Sequence, residues 1–240
     1  HNSAVMDPAT ILAKSSNVGA VQIAMKLDKE MLWNTLSRFG AGRLTSSGYP
    51  GESAGMLPPF QGWRPIGQAT MAYGYGLSMT PLQLAQAYAV LAGDGLSRPI
   101  SLVRVDKPSI ARRVVGPETA RNVVAMLETV VTSECTGIKA NVTGYRVAGK
   151  TGTARKVAAG GYAQDRHTAV FAGLVPATAP RLVIVVVVDE PKGGVYYGGD
   201  VAAPVFSAVA AGVLRILAVP PDAADPVADK PLTKLASSSP

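Results

Sequence analysis

The chemistry-bearing residues cluster in one stretch, Gly144-Tyr-Arg-Val-Ala-Gly-Lys-Thr-Gly-Thr-Ala-Arg-Lys156. Two patterns overlap there. Gly144 to Thr151 spells G-x-x-x-x-G-K-T, the letters of a phosphate-binding loop. Lys150 to Thr153 spells Lys-Thr-Gly-Thr, a cation and two hydroxyls around a residue without a side chain. Far upstream, Ser15-Ser16-Asn17 adds two hydroxyls and a carboxamide. Taken alone, Ser-Ser-Asn is more often a helix cap, and Lys-Thr-Gly more often an ordinary strand end.

The phosphate-loop pattern needs a small, flexible loop whose N–H groups curl around an anion, followed by a helix. Here the intervening residues are Tyr145, Arg146, Val147 and Ala148, which favour a strand. After Lys150 come Gly152, two threonines and Gly160-Gly161, which disfavour a helix. Leu182 to Glu190 resembles the Mg²⁺-binding partner strand of such loops, but an aliphatic run of this kind is more often a core strand. A P-loop ATPase using Gly144–Thr151 is therefore the remote alternative.

Before this stretch the chain reads as helices. Asp7-Pro8 opens a short one, Val18 to Leu27 is apolar and helical, and Asp28 caps another that Gly40 stops. Residues 41–65 are rich in Gly, Ser and Pro and read as a loop. Thr80-Pro81 starts a strong helix that ends at Gly93, and Gly116-Pro117 opens another. Between them, Ile100–Val105 and Ala111–Val115 read as short strands around a Lys-Pro turn. After Gly137, Tyr145–Val157, Thr168–Val175 and Leu182–Asp189 read as strands. Their short connection at Pro176–Pro180 favours an antiparallel hairpin. Ala203 to Val219 is an apolar helix fit to cover that sheet, and residues 220–240 read as a Pro/Ala/Ser-rich, disordered tail. Helices, then an antiparallel sheet, then a closing helix predict an α+β fold.

Composition narrows the function. At 240 residues and 48% apolar, the chain can build one substantial core. The net charge is +7, yet no Lys/Arg cluster is interleaved with aromatics, so we expect no nucleic acid partner. One cysteine, Cys135, and two distant histidines leave no disulfide, zinc site or His-based triad. Neither metal nor cofactor is expected.

Ser15-Ser16-Asn17 and Lys150-Thr151-Gly152 match S-x-N and K-T-G, two of the three motifs of penicillin-binding proteins and serine β-lactamases. The match extends through residues 14–19, 73–88, 150–156, 171–176 and 198–206. On these segments, residues 1–219 resemble the C-terminal part of the transpeptidase domain of class B penicillin-binding proteins, most closely the septal, cell-division type. The resemblance implies a peptidoglycan D,D-transpeptidase that cross-links D-Ala-D-Ala stem peptides through an acyl-serine and is acylated by β-lactams. It implies that Ser15 relays a proton and that Asn17 offers its amide to the peptide. It implies that Lys150 supplies positive potential while Thr151 and Thr153 bind the terminal carboxylate. The Thr153 N–H would be half of the oxyanion hole, Gly152 would admit the peptide to the strand edge, and Tyr196 and Tyr197 would form an aromatic wall. Its implied setting is the periplasmic face of the bacterial inner membrane, with an N-terminal helical anchor not present in this chain. Its implied partners are a lipid-linked precursor and divisome membrane proteins, including a glycosyltransferase.

The third motif, S-x-x-K, which carries the nucleophile, is absent: no serine has lysine three residues on. Thr136-Gly-Ile-Lys139 comes nearest, but it is a threonine and lies after S-x-N rather than before it. We expect the nucleophile upstream of His1, in a longer protein, and expect the 240 residues alone to be inactive. A non-catalytic, divisome-binding pseudo-enzyme is the alternative. A β-lactamase or D,D-carboxypeptidase shares the motifs but fits residues 73–88 and 198–206 less well.

Overall fold

The computed structural model describes residues 5–107, 109–132, 135–158 and 161–223. The chain begins with helices α1 (Pro8–Ala13), α2 (Asn17–Ala24) and α3 (Lys29–Arg38). Each starts at a side chain that accepts an otherwise orphaned backbone N–H. Asp7 accepts from Thr10, Ser16 from Gly19 and Asp28 from Glu30. Helix α4 (Pro65–Met71) lies where the sequence reading had no helix. Its signals are weak: Pro65 at its first turn, no side-chain cap, and Gly67 inside it. Helix α5 (Pro81–Ala92) has a full capping box between Thr80 and Gln83.

Strands β1 (Leu96–Ser97) and β2 (Arg112–Arg113) pair antiparallel, Leu96 opposite Arg113. This corrects the expectation of a strand at Ile100–Val105. That segment has no strand, and its Leu102, Val103 and Val105 are exposed, so apolar side chains without a packing surface do not hold an extended pair. Helix α6 (Pro117–Glu128) follows, then 3-10 turns at Thr129–Val131 and Ile138–Ala140. The main sheet comprises β3 (Ala148–Ala158), β4 (Gly161–Val175) and β5 (Leu182–Asp189) in the order β3-β4-β5, all antiparallel. Helices α7 (Gly198–Val201) and α8 (Ala203–Ile216) close the described chain.

The sheet is covered on both faces. On one, Phe171, Val175, Leu182, Ile184 and Val186 pack on Phe206, Ala210 and Leu214 of α8. On the other, Ala148, Leu174 and Val183 pack on Val124 and Leu127 of α6 and on Tyr88 and Leu91 of α5. The alternation Leu182, Ile184, Val186 against Val183 is the period-two pleat of a strand buried on both sides. Gly198–Ile216 is apolar and long enough to cross a membrane by composition alone. One face of it, Ala203, Phe206, Ala210 and Leu214, is fully buried against the sheet, while Val205, Val209 and Ile216 on the other are exposed.

Residues 220–240 were expected to form a tail. Of these, 220–223 are described and are anchored: Asp222 accepts the N–H of Arg146 and of Thr178, and Ala223 donates to the Gly144 carbonyl. Residues 224–240 lie outside the described residues.

Phe206 tilts against Phe171 at 4.8 Å between centroids, with neither ring exposed. Phe206→Ala should therefore cost about 3–5 kcal/mol. Urea unfolding of the two chains measures it, and a loss below about 1 kcal/mol would contradict this packing.

Candidate active site

Among the described residues strand β3 has one neighbour, β4, and its outer edge is open. The pleat sorts its side chains. Lys150 points toward the helices that carry Ser15, while Thr151 and Thr153 point toward α7 and the turn at Thr136. The Lys150 ammonium lies 2.9 Å from Ser15 Oγ and 3.1 Å from the Thr151 carbonyl. Thr151 Oγ1 is 3.0 Å from Thr136 Oγ1, and Thr153 Oγ1 accepts the Gly198 N–H at 3.0 Å. Ser15, Asn17, Thr136, Thr151, Thr153 and Tyr197 all line one cavity of about 520 Å³.

Ser15 sits in a strained position. Its φ is 52°, a left-handed conformation uncommon for a residue with a side chain. It is the joint between α1 and α2, where Ser16 turns away to cap α2 and Asn17 becomes the first helical residue. The middle serine of S-x-N thus has a structural job, and its neighbours are left to face the cavity. Strain of this kind concentrates where a side chain must be aimed.

Backbone groups of an edge strand alternate between the neighbour and the open side. The Arg155 N–H donates to the Tyr75 hydroxyl, outside the sheet. By that alternation the N–H groups of Thr153 and Thr151 face the same open edge. Tyr75, from the 73–88 run, therefore closes one end of the edge and leaves Thr151–Thr153 available for an added strand.

Two glycines are explained by space. A Cβ on Gly198 would fall 2.4 Å from the carbonyl oxygens of Gly152 and Val170, so only glycine lets α7 begin against the sheet. At Gly152 a Cβ would meet only Val170 Cβ, at an ordinary 3.7 Å. The fold itself does not demand glycine at 152.

Burial lowers the Lys150 ammonium from its usual 10.5 to about 8. At neutral pH it is still mostly charged. It supplies a positive potential, and it stands within hydrogen-bond distance of a hydroxyl with which it can exchange a proton.

Of the two tyrosines, only Tyr197 lines the cavity; Tyr196 stacks on His167, with centroids 4.0 Å apart, and supports Tyr197 from behind. Sequence reasoning passed over Thr136, Lys139 and Asp200 as site residues. Thr136 is the hydroxyl partner of Thr151, while Lys139 and Asp200 form a 2.8 Å ion pair at the rim. Their only signal was Thr136-Gly137 after α6, read as a failed nucleophile motif. Cys135 lines the same cavity.

The phosphate-loop alternative does not survive the geometry. Lys150 and the residues after it lie within β3, so no helix N-terminus faces an anion there. Asp189 at the end of β5 pairs with Lys156, not with a group near Lys150.

The family model for the penicillin-binding protein transpeptidase domain matches residues 1–211. The chain is 46% identical over 213 residues to the peptidoglycan D,D-transpeptidase FtsI of Escherichia coli strain K12, covering 89% of this chain and 36% of that protein. It is 40% identical over 235 residues to the probable peptidoglycan D,D-transpeptidase PenA of Neisseria gonorrhoeae, covering 98% of this chain and 39% of that one. The structure of the apo transpeptidase domain of Burkholderia pseudomallei penicillin-binding protein 3 superposes with a TM-score of 0.86 at 45% identity, over 90% of this chain and 66% of that one. The chain belongs to the penicillin-binding protein transpeptidase family. It spans a little over a third of the length of these curated relatives.

The Lys150 environment makes a pH prediction. Its folded pKa lies below the unfolded value, so between about pH 8 and 10.5 the unfolded chain holds the extra proton. Its contribution to stability rises with pH across that window and is lost as pH falls through about 8. The ¹³Cε signal of Lys150 should titrate near pH 8, well below the ordinary lysine value of 10.5. Lys150→Met should raise stability at pH 7 more than at pH 10. A normal Lys150 titration would overturn this account.

Proposed function

We propose that this chain forms the substrate-binding and proton-relay part of a serine-type peptidoglycan D,D-transpeptidase. The reading rests most on one observation. The Lys150–Ser15 contact stands beside an open strand edge that presents two threonine hydroxyls and two outward N–H groups. In this reading the donor stem peptide adds to the edge of β3 as an extra strand. Its terminal carboxylate lies against the hydroxyls of Thr151 and Thr153, in the positive potential of Lys150. Asn17 holds the peptide from the helical side, and Tyr197 packs on its apolar portion. Gly152 lets the two backbones approach.

The serine nucleophile gives its proton to the neutral amine of the S-x-x-K lysine and adds to the carbonyl carbon of the penultimate D-Ala. The oxygen that becomes negative is met by the Thr153 N–H as one oxyanion donor. The C–N bond then breaks, and the departing D-Ala amine takes its proton through Ser15, next to the Lys150 ammonium. An amine of a second stem peptide reverses the sequence and leaves the cross-link. A β-lactam enters the same geometry as a carboxylate-bearing acyl donor and stays as the acyl-enzyme.

The nucleophile with its S-x-x-K lysine is not among these 240 residues, and we propose that it is supplied by polypeptide preceding them. The septal role, the periplasmic setting with an N-terminal anchor, and partnership with a divisome glycosyltransferase belong to the same proposal. The relatives named FtsI support the septal role, and the setting and the partner rest on the resemblance along 73–88 and 198–206 alone. The absence of S-x-x-K favours one other reading, a binding-only pseudo-enzyme.

Labelling with a fluorescent penicillin separates them. The 240-residue chain should form no covalent adduct. A longer form carrying S-x-x-K should label, and Lys150→Ala in it should slow labelling by about 10²-fold or more. An adduct on the short chain would refute the nucleophile assignment. A longer form that fails to label would leave the binding-only reading.

A further inference from the structure

A second built cavity shares no lining residue with the Ser15–Lys150 site. It lies between the C-terminal end of α3, the loop that follows, and the β1–β2 pair, with a volume of about 230 Å³. Arg38, Arg43 and Arg112 line it, together with Ser37, Thr45 and Ser97, and no Asp or Glu does. Among the described residues none of the three guanidiniums has an ion-pair partner. Arg38 donates to the Arg113 carbonyl, Arg112 to the Arg38 carbonyl, and Arg43 to Ser37 Oγ. A guanidinium has five N–H donors, so most of each remain for something else. Arg112 also serves the exposed carbonyls at the end of α3, as a cation should. That role accounts for one of the three arginines that line the cavity.

The walls are held firmly. Gln83 is fully buried and donates to the carbonyls of Gly40, Arg43 and Ala54. Glu52 accepts the Thr45 N–H at 2.7 Å. Ser46 takes a left-handed φ of 62° at the rim. Thr45 is 2% exposed, and its hydroxyl has no hydrogen-bond partner among the described residues. The three guanidiniums are exposed at a concave surface whose lining holds no carboxylate, and the Glu52 carboxylate behind it is taken up by the Thr45 N–H and the Ser47 hydroxyl, so an oxyanion there would find charge-assisted donors.

We infer that Arg38, Arg43 and Arg112 form a binding site for a phosphate group. Guanidiniums take phosphate oxygens in bidentate pairs, and the small cavity suits one such group with its ester arm leaving through the mouth. The neighbouring cavity indicates what that arm is. It is a groove of about 310 Å³, apolar apart from Gln86 and Arg98, that shares Gln86 with the cationic pocket. Alternation along β1 places Leu96 in the groove and Ser97 in the pocket. A lipid-borne phosphate would use both, and a free phosphate ester only the first.

The test is a ¹⁵N–¹H titration of the chain with inorganic phosphate. Saturable shifts are expected at the amides of Thr45, Ser46 and Ser97. Arg43→Gln should weaken binding about tenfold, the value of one charge-assisted contact, and Arg43→Lys should recover part of it. Lys26→Gln, which removes an exposed charge elsewhere, should leave it unchanged. The dispersion of each variant's spectrum reports that it is folded. Flotation with phosphatidylcholine vesicles, with and without phosphatidylglycerol, identifies the source. Binding only to the anionic vesicles, competed by phosphate, assigns a lipid headgroup; phosphate binding without vesicle binding assigns a soluble phosphate ester. Shifts that never saturate, or equal affinity in Arg43→Gln and Lys26→Gln, would overturn the site.

Discussion

Among the described residues strand β3 is bonded along one side only, and its pleat divides its side chains between two neighbourhoods. Every feature of the candidate site depends on that arrangement. If β3 were an inner strand, its outward N–H groups would be consumed by another ladder. If its register shifted by one residue, Lys150 would turn away from Ser15 and both threonines would leave the α7 side. The register is set by pairing with β4, Lys150 opposite Ala172 and Gly152 opposite Val170. That pairing is in turn locked by burial of Phe171 and Leu174 on opposite faces.

The helical half has a complementary task. It must bring a hydroxyl from residue 15 to a lysine in the sheet, 2.9 Å away. The α1–α2 joint does this through a left-handed Ser15, and Ser16, capping α2, fixes the far side of the joint. Burial lowers the lysine from its ordinary 10.5 to about 8, a cost in stability that an apolar core residue would not carry. A site that spends stability on a poised cation is what proton transfer and anion binding require.

Much of this was legible from residues alone. Asp7-Pro8, Asp28, Thr80-Pro81 and Gly116-Pro117 announce helices because capping is local chemistry. Strand β5 and the second half of β4 are legible because each carries a sustained apolar run beside the Pro176–Pro180 turn, whereas β3 is polar and is legible from its β-favouring threonines and valines and its flanking glycines. The pieces that escaped depend on distant partners. Helix α4 has no cap to announce it. The β1–β2 pair is two residues long, and its neighbour Ile100–Val105 has the stronger strand composition. Order in the 41–62 loop comes from Gln83, a polar residue in a helix whose burial no local pattern signals. Thr136 enters the site only because the turn after α6 folds over Thr151, and Tyr196 falls behind Tyr197 because His167 offers it a stacking face. The Walker-like letters misdirect because a letter pattern carries no backbone geometry.

The central claim is that Thr151–Thr153 on the edge of β3 receives a peptide ending in a carboxylate. Titrating the ¹⁵N-labelled chain with an acylated D-Ala-D-Ala peptide tests it most directly. The account predicts saturable shifts at the amides of Thr151 and Thr153, much weaker for the same peptide with its carboxylate amidated. Shifts confined to other surfaces, or equal binding of the acid and the amide, would contradict it.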